Sequence, residues 1–239
     1  IRCLAKQGVF PPQIDVSLDA TDDEATPTYQ TDAGGPVPRV TREKRPDVRA
    51  NRHARKVKVT VFGWKIWIVF DPVSKTPLAM HIDGINVADN THAYAVLAQA
   101  RANVEGYARI RSVALDRGFL DGKLLSRIDA EAIVYIPAKS DMTITADARE
   151  IARRAQALAG HGQPLAGAQY AERVERVKHS AGKKAWIEER TTTVVRIRDL
   201  PCDWWTAKGS TSAANSKRFR PKLVNATVVL RWDGAEKDA

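Results

Sequence analysis

The chain alternates between stretches with strand periodicity and stretches with helical periodicity, and that alternation sets the first expectations. After Pro11-Pro12, the run Ile14-Asp15-Val16-Ser17-Leu18-Asp19 places an apolar residue at every second position, which predicts a short strand with one buried face, ending on an acid. From Asp22 to about Pro46 the composition turns to Asp, Thr, Gly and Pro, which predicts a long exposed loop with no core of its own. Val57 to Phe70 is rich in Val, Ile, Phe and Trp, and Asp71-Pro72 with Ser74-Lys75-Thr76 supplies turn chemistry before a second apolar run, Leu78 to Ile82. That pair predicts a hairpin.

Ala93, Val96, Leu97, Ala100 and Val104 recur at helical spacing, with Asp89, Asn90 and Thr91 available for the first turn. Ile110 to Leu115 predicts a compact strand closing at Asp116, Gly118 opens a helical stretch through Ile128, and Ala132 to Ile136 predicts a further strand. Three strands before a helix and two after it make an α/β chain with a mixed sheet. Beyond Ser140 the pattern changes. An Ala- and Arg-rich helix over Ala146 to Leu158 is followed by ribbons at Tyr170 to Val177, Trp186 to Ile197 and Lys222 to Trp232. The expected division is residues 1–140 as the α/β part, with a basic loop at 22–56, and residues 141–239 as a helix plus a β-rich unit.

Charge narrows the partner. Of 239 residues 44% are apolar and 28% charged, a globular composition, yet the formal net charge is +10, and such an excess in a folded chain points to a polyanion. No apolar run of about 18 residues exists, so no membrane partner is expected. The two cysteines, Cys3 and Cys202, lie far apart without metal-ligand spacing, which fits a reducing cytoplasm and argues against a disulfide framework. Arg45, Arg49, Arg52, Arg55 and Lys56 form a dense basic arm suited to phosphate contacts. In the β-rich unit Arg218 and Arg220 accompany Trp204 and Trp205; one of these adjacent rings can stack on an unpaired base, although closing a small core is the simpler reading. His81, His92, His161 and His179 are scattered over different elements, with no nucleophile and base pairing suggested, and Trp64 and Trp67 read as hairpin packing.

Asp19 and Asp116 each stand where an apolar strand gives way to a turn. Carboxylates brought together at strand ends suit Mg²⁺ or Mn²⁺, and a pair of ions held so can drive phosphodiester hydrolysis. Each Asp also reads as an ordinary turn or cap residue. The surrounding motifs add to the catalytic reading: Leu18-Asp19-Ala20-Thr21 resembles the first-acid motif of DDE transposases, and Val113-Ala114-Leu115-Asp116-Arg117-Gly118-Phe119 resembles their second-acid motif. Phe62-Gly63-Trp64-Lys65, Asp71 and Asp89 follow the same family order.

The resemblance to bacterial insertion-sequence transposases implies a ribonuclease-H-like mixed sheet flanked by helices, with a β-rich insertion over Ser140 to Trp232. It implies Asp19 and Asp116 as catalytic ligands of two Mg²⁺ or Mn²⁺ ions, Arg117 beside the DNA, double-stranded DNA as substrate and target, and a homodimer in the DNA complex. It also implies a cytoplasmic, nucleoid-associated enzyme that cleaves and joins strands. The family's third acid, a Glu on a helix, has no counterpart in register: the position with the right spacing from Tyr170 and Arg173 is Val177, while Glu172 and Glu175 are displaced. The expectation is therefore that this final catalytic helix lies beyond Ala239 and that the chain by itself does not cut DNA efficiently. The rival readings are a DNA-binding protein derived from a transposase and a structure-selective nuclease of the same fold.

Overall fold

The computed structural model describes residues 1–25, 37–44, 57–181, 184–202 and 222–231. The chain divides into two units, Ile1–Pro137 and Ala138–Ala239.

In the first unit a short helix α1 (Arg2–Lys6) precedes strand β1 (Gln13–Ala25), β2 (Arg39–Lys44), β3 (Val57–Asp71) and β4 (Thr76–Gly84). Helix α2 (Asn90–Val104), strand β5 (Arg109–Leu115), helix α3 (Gly122–Asp129) and strand β6 (Ile133–Tyr135) follow. The sheet runs β2-β3-β1-β5-β6, with β4 also on β3. β1 is antiparallel to β3 and parallel to β5, and β5 is parallel to β6. This is the mixed sheet flanked by helices that a ribonuclease-H-like fold requires.

Alternation decides which face of the sheet is buried. Ile14, Val16 and Leu18 of β1 and Val61, Trp67 and Val69 of β3 are buried, as are Ala93, Val96, Leu97, Ala100 and Val104 of α2, which packs against β3, β4 and β5. Trp67 and Leu97 are fully buried. Each large apolar side chain taken out of water there stabilises the fold by about 1.5–3 kcal/mol. The opposite face carries Met80, Ile82, Ile133 and Tyr135, all more than half exposed within this unit.

Three strand expectations are corrected. β1 does not stop at Asp19 but continues to Ala25, because β3 is long enough to pair with it from Phe70 opposite Ser17 to Phe62 opposite Ala25. The stretch read as loop from Asp22 to Pro46 therefore holds the end of β1 and all of β2, whose residues pair with Val57–Phe62. Among the described residues four strands, not three, precede α2. Gly63 marks where β3 passes from β2 to β4: its N–H donates to the Pro38 carbonyl at 2.9 Å and its carbonyl accepts from Ile85 N at 3.2 Å. Its φ of +147°, with the Asp23 carbonyl pressed against the position a side chain would take, admits glycine alone. The expected hairpin turn forms on Asp71, which is buried and accepts from Val73 N at 3.0 Å and Ser74 Oγ at 2.5 Å.

One irregularity sets the register of β1 on β5. Ile14 pairs with Ile110, but Asp15 pairs with Ser112, so Arg111 is the extra residue of a bulge. Asp15 holds that bulge. Its carboxylate accepts from Arg111 Nε at 2.9 Å, from the far end of the same guanidinium, and from Ser112 Oγ at 2.6 Å.

The second unit contains helix α4 (Thr143–Ala159) and a separate antiparallel sheet β7 (Ala168–Ala181), β8 (Lys184–Cys202) and β9 (Lys222–Arg231), in the order β7-β8-β9. Ile144, Ala148, Ala152 and Ala155 form the buried stripe of α4, and Val195, Ile197, Leu200 and Cys202 are buried on β8. The ribbons expected at Tyr170, Trp186 and Lys222 are these strands, the first two longer than the periodicity indicated.

The Asp15 clamp has a measurable pH signature. Hydrogen bonds from Arg111, and next from Ser112, hold the Asp15 carboxyl below the usual carboxylate range. A lowered folded-state value contributes stability that is complete above about pH 4 and is lost as pH falls through the lowered value. Urea unfolding of the Asp15→Asn variant should therefore show a deficit against wild type near pH 6 that shrinks toward roughly pH 2; a deficit that is constant with pH would show that the ionised carboxylate is not the clamp.

Candidate active site

The bulge at Arg111 raises the offset between β1 and β5 to 97, the value that sets Leu18 opposite Leu115. The next residue on each strand is an acid, Asp19 on β1 and Asp116 after β5, and neighbouring strands lie about 4.8 Å apart. The two aspartates thus directly follow the last pair of the parallel ladder, although β1 itself runs on beyond Asp19. Both are exposed. Asp19 Oδ1 accepts from Ala20 N at 2.8 Å, and Asp116 Oδ1 accepts from the N–H of Gly118, which caps the 3₁₀ turn Arg117–Phe119. Each carboxylate thereby uses one oxygen to fix its own orientation; no hydrogen bond to the other oxygen is formed by a described residue.

A third carboxylate, that of Asp89, lies near Asp116. A Cβ added at Gly118 would sit 2.6 Å from Asp89 Oδ2 and 2.8 Å from Asp116 Oδ1, so both side chains crowd one glycine. A side chain there would have to push those carboxylates aside. Asp89 is the residue before α2, yet its side chain does not cap the helix. It is held by Lys65, whose Nζ lies 2.5 Å from Asp89 Oδ1, 2.7 Å from the Val87 carbonyl and 3.9 Å from Asp22 Oδ1. Two residues along β3, on the same face, Trp67 Nε1 donates to the Asp89 carbonyl at 2.6 Å. Asp22 in turn pairs with Arg42 of β2 and raises the pKa of that guanidinium.

Lys65 is only 7% exposed, so its ammonium depends on these oxygens. Held by Lys65 and Trp67, Asp89 anchors the start of α2 and leaves its other carboxylate oxygen against Gly118. Spacing named Lys65 and Asp89 only through the resemblance. That they bond could not be read from a sequence in which 24 residues separate them.

Among the expected DNA contacts, Arg117 is exposed directly after Asp116. Arg45, Arg49, Arg52, Arg55, Lys56, Trp204, Trp205, Arg218 and Arg220 lie outside the described residues. Tyr170, Glu172, Glu175 and Val177 all fall on strand β7 of the second unit, where the Tyr170 hydroxyl donates to Glu172. The histidines read as scattered are partly gathered: His81 of β4 and His92 of α2 have ring centroids 4.1 Å apart, with Asp83 beside them.

The Lys65–Asp89 pair makes a stability test. Asp89→Ala leaves a buried ammonium with one carbonyl and a distant Asp22, and should cost roughly 2–4 kcal/mol in urea unfolding. Lys65→Met in that background should recover part of this deficit, whereas additive effects would mean the two side chains act independently.

Among the described residues, no helix is long and apolar enough to cross a membrane. No curated protein matches this chain. The transposase DDE domain matches it over residues 11–233, from the foot of β1 through the pair of acids and across the second unit. A mixed sheet with two aspartates at adjacent strand positions and a match covering most of its length place one conclusion beyond the resemblance of motifs: the chain belongs to the transposase DDE domain family.

Proposed function

We propose that Asp19 and Asp116 are ligands of the divalent cations with which this transposase cleaves and joins DNA strands. The observation that carries this reading is the register of β1 on β5, whose last pair, Leu18 opposite Leu115, is followed on each strand by an exposed acid. The donors fit the group: two carboxylates offer hard oxygens, and each keeps one oxygen oriented by a backbone N–H. Mg²⁺ or Mn²⁺ held there would supply a nucleophilic water and stabilise charge at the phosphodiester.

The chain's own residues supply the rest of the arrangement. Gly118 keeps the turn after Asp116 tight enough for its N–H to fix the carboxylate. Asp89, with its charge spent on Lys65, acts as a positioning residue. Arg117 projects beside Asp116, where a phosphate backbone would pass, and the basic arm at Arg45, Arg49, Arg52, Arg55 and Lys56 supplies further phosphate contacts. The partner is double-stranded DNA, engaged by a homodimer. The second unit is read as an insertion into the catalytic fold, with Arg218, Arg220, Trp204 and Trp205 as its DNA-facing candidates.

Titration of Mn²⁺, followed by its electron paramagnetic resonance, tests the pair directly. Asp19→Asn and Asp116→Asn should each weaken binding by about tenfold or more, and Gly118→Ala should weaken it by displacing Asp116. Unchanged affinity in both Asn variants would reject the shared site.

DNA binding has its own signature. Charge reversal at Arg45, Arg49 and Arg52 should lower the slope of log affinity against log salt by roughly 0.9 for each phosphate that is no longer neutralised. An unchanged slope would place the phosphate-binding residues elsewhere.

A further inference from the structure

We propose that His81, Asp83 and His92 form a second metal site, for a transition-metal dication such as Zn²⁺, distinct from the two aspartates. Strand alternation puts His81 and Asp83 on one face of β4, and the first turn of α2 brings His92 against them. One donor atom from each lies within 4.8 Å of the others. His92 Nε2 is 2.7 Å from Asp83 Oδ2, and the two imidazoles lie with centroids 4.1 Å apart. The buried Trp67 packs against both rings, at 4.9 Å from His92 and 5.9 Å from His81, and forms an apolar wall behind them.

The donor set selects the metal. Two imidazole nitrogens and one carboxylate suit Zn²⁺, Ni²⁺ or Cu²⁺, whereas Mg²⁺ takes oxygen donors. Tetrahedral ligands at zinc bond lengths are about 3.3–3.5 Å apart, so three donors already within 4.8 Å need only a small contraction. Asp83 is prepared for this. Its Oδ1 accepts from Gly84 N at 2.7 Å, which orients the carboxylate and leaves Oδ2 toward His92. All three residues are partly exposed, so an ion can enter from solvent and a fourth position stays open to water. A metal there ties β4 to the first turn of α2, the same turn whose preceding residue, Asp89, is held by Trp67 and Lys65. The site is a clamp on the helix start that borders Asp116.

Calorimetric titration of the 239-residue chain with Zn²⁺, in saturating Mg²⁺ to occupy the acids, tests the site. One equivalent should bind, with affinity falling about 100-fold in a His81→Ala, His92→Ala double variant and unchanged in Asp116→Asn. Zinc at about 100 times its dissociation constant should raise the wild-type midpoint of thermal unfolding by about 5 °C or more, and not that of the double variant. Should the double variant fail to fold, imidazole nitrogen resonances of the unaltered chain decide: His81 and His92 must shift together by the first equivalent. Zinc that binds the folded double variant as tightly as wild type, shifts other histidines first, or does not bind at all overturns the proposal.

Discussion

Asp15 accepts hydrogen bonds from the guanidinium of Arg111 and the hydroxyl of Ser112, and the register of the central strands depends on that clamp. Without the bulged Arg111 the parallel offset would stay at that of Ile14 opposite Ile110, and every β5 side chain beyond it would meet β1 one residue out of step. The core could not tolerate that slip, because Val16 and Leu18 need Val113 and Leu115 beside them on the buried face. Packing and the clamp therefore enforce one register, and the same register brings Asp19 and Asp116 together. The proposed site thus rests on a register that the core imposes.

Acids gathered near the end of the parallel ladder repel one another, and cations from β3 and β2 offset part of that cost. Lys65 compensates Asp89, and Arg42 compensates Asp22. Among the ion pairs of the described residues neither Asp19 nor Asp116 has such a cation, and both are exposed. In the proposed site these two exposed carboxylates stay accessible to a cation from solvent.

The parts of this arrangement that depend on short-range pattern were legible from the chain alone. Alternation in β1 and β3, the helical stripe of α2, the Asp71 turn and the Asp116-Arg117-Gly118-Phe119 context each declare themselves within a few residues. β2 was not legible, because Arg39-Val40-Thr41-Arg42-Glu43-Lys44 has one apolar position and exists as a strand only by pairing with the long β3. The extension of β1 through Ala20–Ala25 escaped for the same reason: its polar residues are held by ladder hydrogen bonds and not by burial. The Lys65–Asp89 bond and the grouping of His81 with Asp83 and His92 need a strand and a helix brought together in three dimensions. No spacing rule in one chain reveals them.

The shared use of Asp19 and Asp116 is tested most directly by anomalous diffraction from crystals of the protein grown with Mn²⁺. The expected result is manganese density within about 2.0–2.3 Å of a carboxylate oxygen of each aspartate. Manganese bound to one aspartate alone, or only at the histidines, would contradict the shared site.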